Sequence, residues 1–288
     1  MAKAREGDER SYARSLREYA RGVVGGLLFS LPLLYTMEVW WAGFIARPFN
    51  LLLYLSVGFL LLFGYNRYAG LHKDASWLEV GFEAVEEMGL GILVAAGILW
   101  LLGQIDGTMP VNEIMGKTVV EAVTVAIGVS VGSAQLATGG EGKDEGGMEG
   151  DDSPTQGVIS QVVLGACGAV LFASNVAPTE EIVLIAIESS PWKILGLALL
   201  SLAMAAVILF YSDFTGSDRL RRGDGDGPGT MVLRTAVNYA VALAASAFIL
   251  WFFGRFDGMS FSVCMAQTVA LGVAASLGAS AGRLLLQA

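Results

Sequence analysis

The chain has 288 residues, 54% hydrophobic and only 16% charged, with a net charge of −9 and a mean hydropathy of +0.59. Soluble domains carry roughly a quarter charged residues, so the composition sets a water-soluble domain aside and points to a membrane protein. No P-loop, dinucleotide fingerprint or nucleic-acid motif occurs, so neither a cofactor nor a nucleic-acid partner is expected.

Residues 1–21 form a basic segment in which "RSYARSLREYAR" sets arginines at helical spacing beside Tyr12, Leu16 and Tyr19. This suits a short helix on an anionic membrane surface, or a solvated tail that sets topology. Apolar runs follow at 22–45, 49–65, 81–102, 113–136, 157–187, 192–211, 231–254 and 262–286. A bilayer core takes about 20 residues per helix, so these predict eight spans. The run 22–45 is too long for the core of a signal peptide and reads as the first span. Between the fourth and fifth runs, residues 139–156 are glycine-rich and acidic, the composition of a disordered linker. With the N-terminus inside, 14 of the 18 Lys and Arg fall on the inner side, leaving Arg47, Lys117, Lys193 and Arg255 outside. The positive-inside rule then places both termini in the cytoplasm.

The two sides of the linker align. An offset of 143 carries Phe29, Thr36, Glu38 and Pro48 onto Phe172, Thr179, Glu181 and Pro191. An offset of 151 carries "WLLGQIDG" (100–107) onto "WFFGRFDG" (251–258), and one of 150 carries Met115, Thr118, Gly128, Ser130 and Gly132 onto Met265, Thr268, Gly278, Ser280 and Gly282. The expected fold is therefore all-α: eight transmembrane helices as two four-helix repeats, 22–138 and 157–288. An even number of spans per repeat makes the repeats parallel.

Within this frame "FSLPLLYTME" (29–38) pairs with "FASNVAPTEE" (172–181), each a proline-bearing apolar stretch ending in glutamate. Proline inside a span frees a backbone carbonyl, which is tolerated where protein groups or water satisfy it. Glu38 and Glu181 are thus expected to face the protein interior or a watery cavity near the pseudo-twofold axis, with Thr36, Asn175, Thr179 and Glu180 supplying further oxygens. Structural anchoring, or a place in the outer headgroup layer, is the competing explanation.

A second set of ionisable groups has no copy in the other half. Glu79, Glu83, Glu86 and Glu87 lie mostly on one face of the third span, and Lys117 and Glu121 form an i,i+4 pair on the fourth. Arg234 and Asn238 replace Glu83 and Glu87, and Gln267 and Leu271 replace Lys117 and Glu121. Glu83, Glu86, Glu87, Lys117 and Glu121 would line a cation or proton path; solvation at the inner surface is the alternative for Glu79 and Glu83. Asp106 and Asp257, each before glycine, are turn formers or an outer carboxylate ring.

"GVSVG" (128–132) and "GASAG" (278–282) match a serine hydrolase elbow, but the strand-to-helix context is absent and the sole histidine, His72, sits in a predicted inner loop. Gly128 with Gly132 and Gly278 with Gly282 instead allow close helix contact, between halves or between subunits of a homo-oligomer. "GDGDGPG" (223–229) lacks the length of a calcium loop, and Cys167 and Cys264 offer no metal spacing.

"LPLLYTMEVWW" in the first half and "APTEEI" in the second resemble a family of bacterial integral membrane proteins of this length, catalogued as a domain of unknown function. The resemblance spans nearly the whole chain and implies a bacterial inner-membrane protein without implying an activity. "NVAPTEEIVLIA" is also similar to the alpha repeats of cation/calcium exchangers, which implies Thr179 and Glu181 as coordinating positions. Those exchangers use inverted five-span repeats, which this chain does not match. The sequence thus favours a transporter or channel for a small cation or protons, not an enzyme, surrounded by membrane lipid. A membrane scaffold or sensor is the alternative.

Overall fold

A computed structural model describes residues 19–69, 76–137, 154–211 and 228–285; the basic segment before Tyr19, His72 and most of the acidic linker lie outside these residues. The described residues contain helices and no strand. In chain order the helices are α1 (Tyr19–Leu34), α2 (Met37–Ile45), α3 (Pro48–Ala69), α4 (Trp77–Leu101), α5 (Val111–Ala137), α6 (Pro154–Ser174), α7 (Glu181–Glu188), α8 (Pro191–Tyr211), α9 (Pro228–Phe252) and α10 (Phe261–Leu285). Six are long and apolar enough to cross a membrane, or seven if the bent pair α1 and α2 counts as one span, and α6 adds the shorter apolar stretch Ile159–Ser174.

Local chemistry sets the boundaries. Pro48, Pro154, Pro191 and Pro228 each open a helix, where a missing N–H costs nothing because that donor has no intrahelical partner. Before α4, the Ser76 amide donates to the Glu79 carboxylate (2.6 Å), and Ser76 Oγ accepts from the Glu79 amide (3.4 Å). Glu79 is thereby a capping residue, as well as exposed. α4 and α9 stop alike: Gly103 (φ +71°) and Gly254 (φ +68°) take the left-handed conformation that other residues resist. The next amides, of Gln104 and Arg255, then reach back to the carbonyls of Leu99 (2.8 Å) and Leu250 (2.9 Å).

After the first of these stops, Asp106 turns the chain toward α5. Its Oδ1 accepts from the Thr108 hydroxyl (2.6 Å), the Thr108 amide (2.7 Å) and the Met109 amide (3.1 Å), which accounts for Asp106 as a turn former. The Thr108 hydroxyl and amide hold the carboxyl below the usual aspartate range. A depressed carboxyl stabilises the turn above its unfolded value, near 3.9, and loses that contribution as pH falls through the lower folded value. Hydrogen-exchange protection of the Thr108 and Met109 amides, corrected for intrinsic rates, should therefore fall only below about pH 4, and Asp106→Ala should lower it at neutral pH.

α5 and α10 are the hubs. α5 packs against α2, α3 and α4, and α10 against α7, α8 and α9. α1 meets α5 through Gly25, whose place would put a Cβ into the backbone of Gly132 and Gly128; α6 meets α10 through Gly168, where a Cβ would overlap the Gly278 carbonyl. The glycine pairs seen in the sequence thus do make close helix contacts. They lie inside each half, however, between α1 and α5 and between α6 and α10. These faces are already filled by a neighbouring helix of the same chain, which corrects the expectation of contact between halves or subunits. The halves join where α6 packs on α3 and α5, and where Tyr54 of α3 stacks on Phe252 of α9 (centroids 4.1 Å apart). Phe49, Leu60, Phe82, Leu93 and Trp192 point outward, apolar surface suited to lipid.

The runs 22–45 and 157–187, each expected as one helix, are each two. α1 and α2 meet at 86°. α6 and α7 are separated by turns around Pro178, which has no amide to continue the helix.

Candidate functional site

Pro32 lies in the last turn of α1, just ahead of the bend at Tyr35 and Thr36, and this turn is tied to the other half. In a straight helix the Leu33 amide would bond the Phe29 carbonyl. Here Asn175, at the end of α6, supplies partners to both: its Oδ1 accepts from the Leu33 amide (3.0 Å) and its Nδ2 donates to the Phe29 carbonyl (3.1 Å). The same Nδ2 donates to Leu171 O (2.6 Å). Asn175 occupies the repeat position of Pro32, 143 residues on. Its polar atoms are therefore committed to backbone, and the expected role as an ion ligand gives way to a structural one.

The other oxygens expected at this place spread out. Glu38 and Glu181 lie in the first turns of α2 and α7, where a carboxylate is favoured by the helix dipole. Glu181 and Glu180 are exposed and Glu38 is partly exposed, so Glu181 does not face the interior as the sequence suggested. The Thr36 hydroxyl donates to Pro32 O (2.6 Å) and the Thr179 hydroxyl to Val176 O (2.9 Å), each tying off a helix end.

The buried carboxylate lies on α5 instead. Glu121 is fully buried, and neither of its oxygens has a hydrogen-bond partner among the described residues. Nearby is the hydroxyl of Tyr54, beside those of Thr124 and Ser174; all three are likewise buried and make no hydrogen bond among the described residues. Buried polar groups are nearly always paired, so a fully buried carboxylate with both oxygens unpaired, next to three unpaired hydroxyls, stands out. This cluster of side chains joins the halves, since Tyr54, Glu121 and Thr124 come from α3 and α5 and Ser174 from α6, next to Asn175.

Lys117 does not pair with Glu121 as the i,i+4 spacing suggested. Its ammonium bonds Glu113 (2.8 Å) and Gln104 O (3.0 Å), one turn toward the start of α5. Above it opens a pocket of about 290 Å³ lined by Trp40, Trp41, Phe44, Gln104, Glu113 and Lys117. Toward the other end of the helices, Asn66 Nδ2 donates to Glu87 (2.7 Å) and the Ser130 hydroxyl donates to Asn66 Oδ1 (2.8 Å). Glu86 is exposed and Glu83 partly so, leaving Glu87 as the acid of this group that enters the packed region. In the second half, Asn238 Nδ2 donates directly to Ser280 Oγ (2.9 Å) at the positions of Glu87 and Ser130, which the first half joins through Asn66.

Sequence reasoning missed Asn66, with Ser130 behind it, as the partner of Glu87, and Tyr54, Thr124 and Ser174 as the hydroxyls around Glu121. Ser130 was visible as a repeated residue, but single hydroxyls inside apolar runs carry no signal of their own. Among the described residues no group of three His, Cys, Asp or Glu side chains is placed to hold a metal ion.

Residues 18–286 match the model of a family described as an integral membrane protein, DUF2391. Comparison with curated proteins and with solved structures gives no match.

Proposed function

We propose that this chain, which belongs to the DUF2391 family of integral membrane proteins, is a transporter or channel for protons or a small cation, with its site at Glu121 between the two halves. One observation carries the reading: a fully buried carboxylate with both oxygens unpartnered, beside three unpartnered hydroxyls, in a helix built for a membrane. An ionisable residue so placed is costly and is characteristically part of an ion or proton pathway. Two interrupted helices joined through Asn175, next to Ser174, support it, because interrupted helices mark the sites of many transporters.

In this reading α1, α3, α4, α5, α6, α8, α9 and α10 cross the membrane, and α2 and α7 lie along its outer surface. Support comes from the matched packing of α5 and α10, the matched helix ends at Gly103 and Gly254, and the Trp distribution. Trp40, Trp41, Trp100, Trp192 and Trp251 all fall at the outer end of this arrangement, where a tryptophan belt belongs. The pocket over Lys117 is the outer entrance, the Lys117–Glu113 pair separates it from Glu121, and Glu87 receives the species on the inner side. Charge counting favours cytoplasmic termini in a bacterial inner membrane.

The test is flux into proteoliposomes made with the full chain, read by pH-sensitive and cation-sensitive dyes. Glu121→Gln should abolish flux, while Glu38→Gln and Glu181→Gln should leave most of it. Equal flux from wild type and Glu121→Gln would remove the site from Glu121, and no flux from wild type under any gradient would favour a scaffold or sensor.

A further inference from the structure

We propose that the species taken up at Glu121 carries a single positive charge, a proton or an alkali-metal ion, and is not a divalent cation; this rests on the reading of the buried Glu121 cluster as a transport site. The argument is one of charge. Among the described residues the cluster holds one carboxylate, Glu121, and Tyr54, Thr124 and Ser174 contribute neutral oxygens. The repeat copy that could have supplied a second carboxylate is Leu271. Lys117, one turn away, is committed to Glu113 and Gln104 O.

Other charged or titratable groups on the helices packed against α5 include Arg21 on α1, Glu38 on α2, Tyr65 and Arg67 on α3, Glu79, Glu83, Glu86 and Glu87 on α4 and Cys167 on α6. Of these, Glu87 is held by Asn66, and Cys167 donates to Leu61 O (3.5 Å). Among the described residues none of them bonds Glu121, whose carboxylate is the one charged group beside Tyr54, Thr124 and Ser174.

An uncompensated charge in a low-dielectric interior costs several kcal/mol even after relaxation. One carboxylate is neutralised by one proton or one alkali ion, whereas a divalent ion would leave a buried net positive charge. Ligand count points the same way. Calcium takes six to eight oxygens and magnesium a near-octahedral set, usually with several carboxylates or retained waters. A single carboxylate and three hydroxyls suit a monovalent ion, or hydrogen bonding to a protonated carboxyl.

Infrared difference spectroscopy on the purified full chain tests this without relying on flux. In metal-free choline buffer the protein should show the carbonyl band of an un-ionised carboxylic acid. Read against a Glu87→Gln background, the band should disappear in Glu121→Gln and shift in Tyr54→Phe; should Glu121→Gln fail to fold, Glu121→Asp, which keeps a carboxyl but shifts its band, assigns it. Sodium or potassium then distinguishes the two occupants. An alkali-ion site loses the band on adding salt, with a midpoint that rises about tenfold for each unit of lower pH, as one ion displaces one proton. A proton site keeps the band. In both cases magnesium and calcium leave it unchanged. Loss of the band to calcium or magnesium, or its absence in metal-free buffer, overturns the proposal. A protein with the expected band and no flux would keep the singly charged occupant and lose the transport reading; flux with a divalent-sensitive band would do the reverse.

Discussion

Asn175→Leu is expected to destabilise the protein by about 2–4 kcal/mol, because it strands the Phe29 carbonyl and the Leu33 amide together, and an unsatisfied buried polar group costs about 1–3 kcal/mol. Leucine has similar volume, so the loss comes from hydrogen bonding and not from a cavity. The cost falls on the joint between the halves, since Asn175 ties the end of α6 to the break in α1. Thermal unfolding in detergent measures it. Thr36→Val serves as the control: it removes a hydroxyl that bonds only to its own helix and should cost under about 0.5 kcal/mol. If Asn175→Leu unfolds like wild type, the break in α1 satisfies itself and the bridge is incidental.

Gly168→Val is the second large effect, and it should leave little folded protein. A Cβ at Gly168 would overlap the Gly278 carbonyl oxygen, and one at Gly278 would overlap that of Gly168. Both obstacles are backbone, so no rotamer change relieves them and α6 must move away from α10. Overpacking a flexible core costs about 1–3 kcal/mol, and a rigid backbone contact exceeds that. The same reasoning applies to Gly25 against Gly132. By contrast, Gly97 and Gly196 have nothing within 4 Å of an added Cβ, and alanine there should be neutral or stabilising through helix propensity. Monodisperse yield after solubilisation separates the two classes.

Much of the architecture was legible because membrane helices announce themselves by length and apolarity, and because repetition at offsets of 143, 150 and 151 marks equivalent positions. α3, α4, α5, α8, α9 and α10 stand close to where the apolar runs put them. The broken helices were not legible, since Pro32 sits inside α1 and the chain turns only afterwards, at Tyr35 and Thr36. What opens that helix is seen only with Asn175 in place, although the gapless alignment already put Asn175 at the position of Pro32. The carboxylates were chosen by repetition, which favoured Glu38 and Glu181. Repetition selects what both halves need, and first-turn acids on α2 and α7 meet a need common to both. Glu121 lacks a copy, and burial, which a sequence does not display, is what singles it out.

Access from a membrane face to the buried cluster around Glu121 is what transport requires, and thiol accessibility measures it directly. With Cys167 and Cys264 replaced by alanine and Ser174→Cys introduced, intact membrane vesicles of each orientation are treated with a membrane-impermeant maleimide. A transport site at Glu121 predicts labelling at Cys introduced beside it from at least one face, slowed by the transported ion and altered by Glu121→Gln. A thiol there that stays unlabelled from both faces under every ionic condition, in protein that labels after detergent unfolding, would mean a closed and static core and would contradict the account.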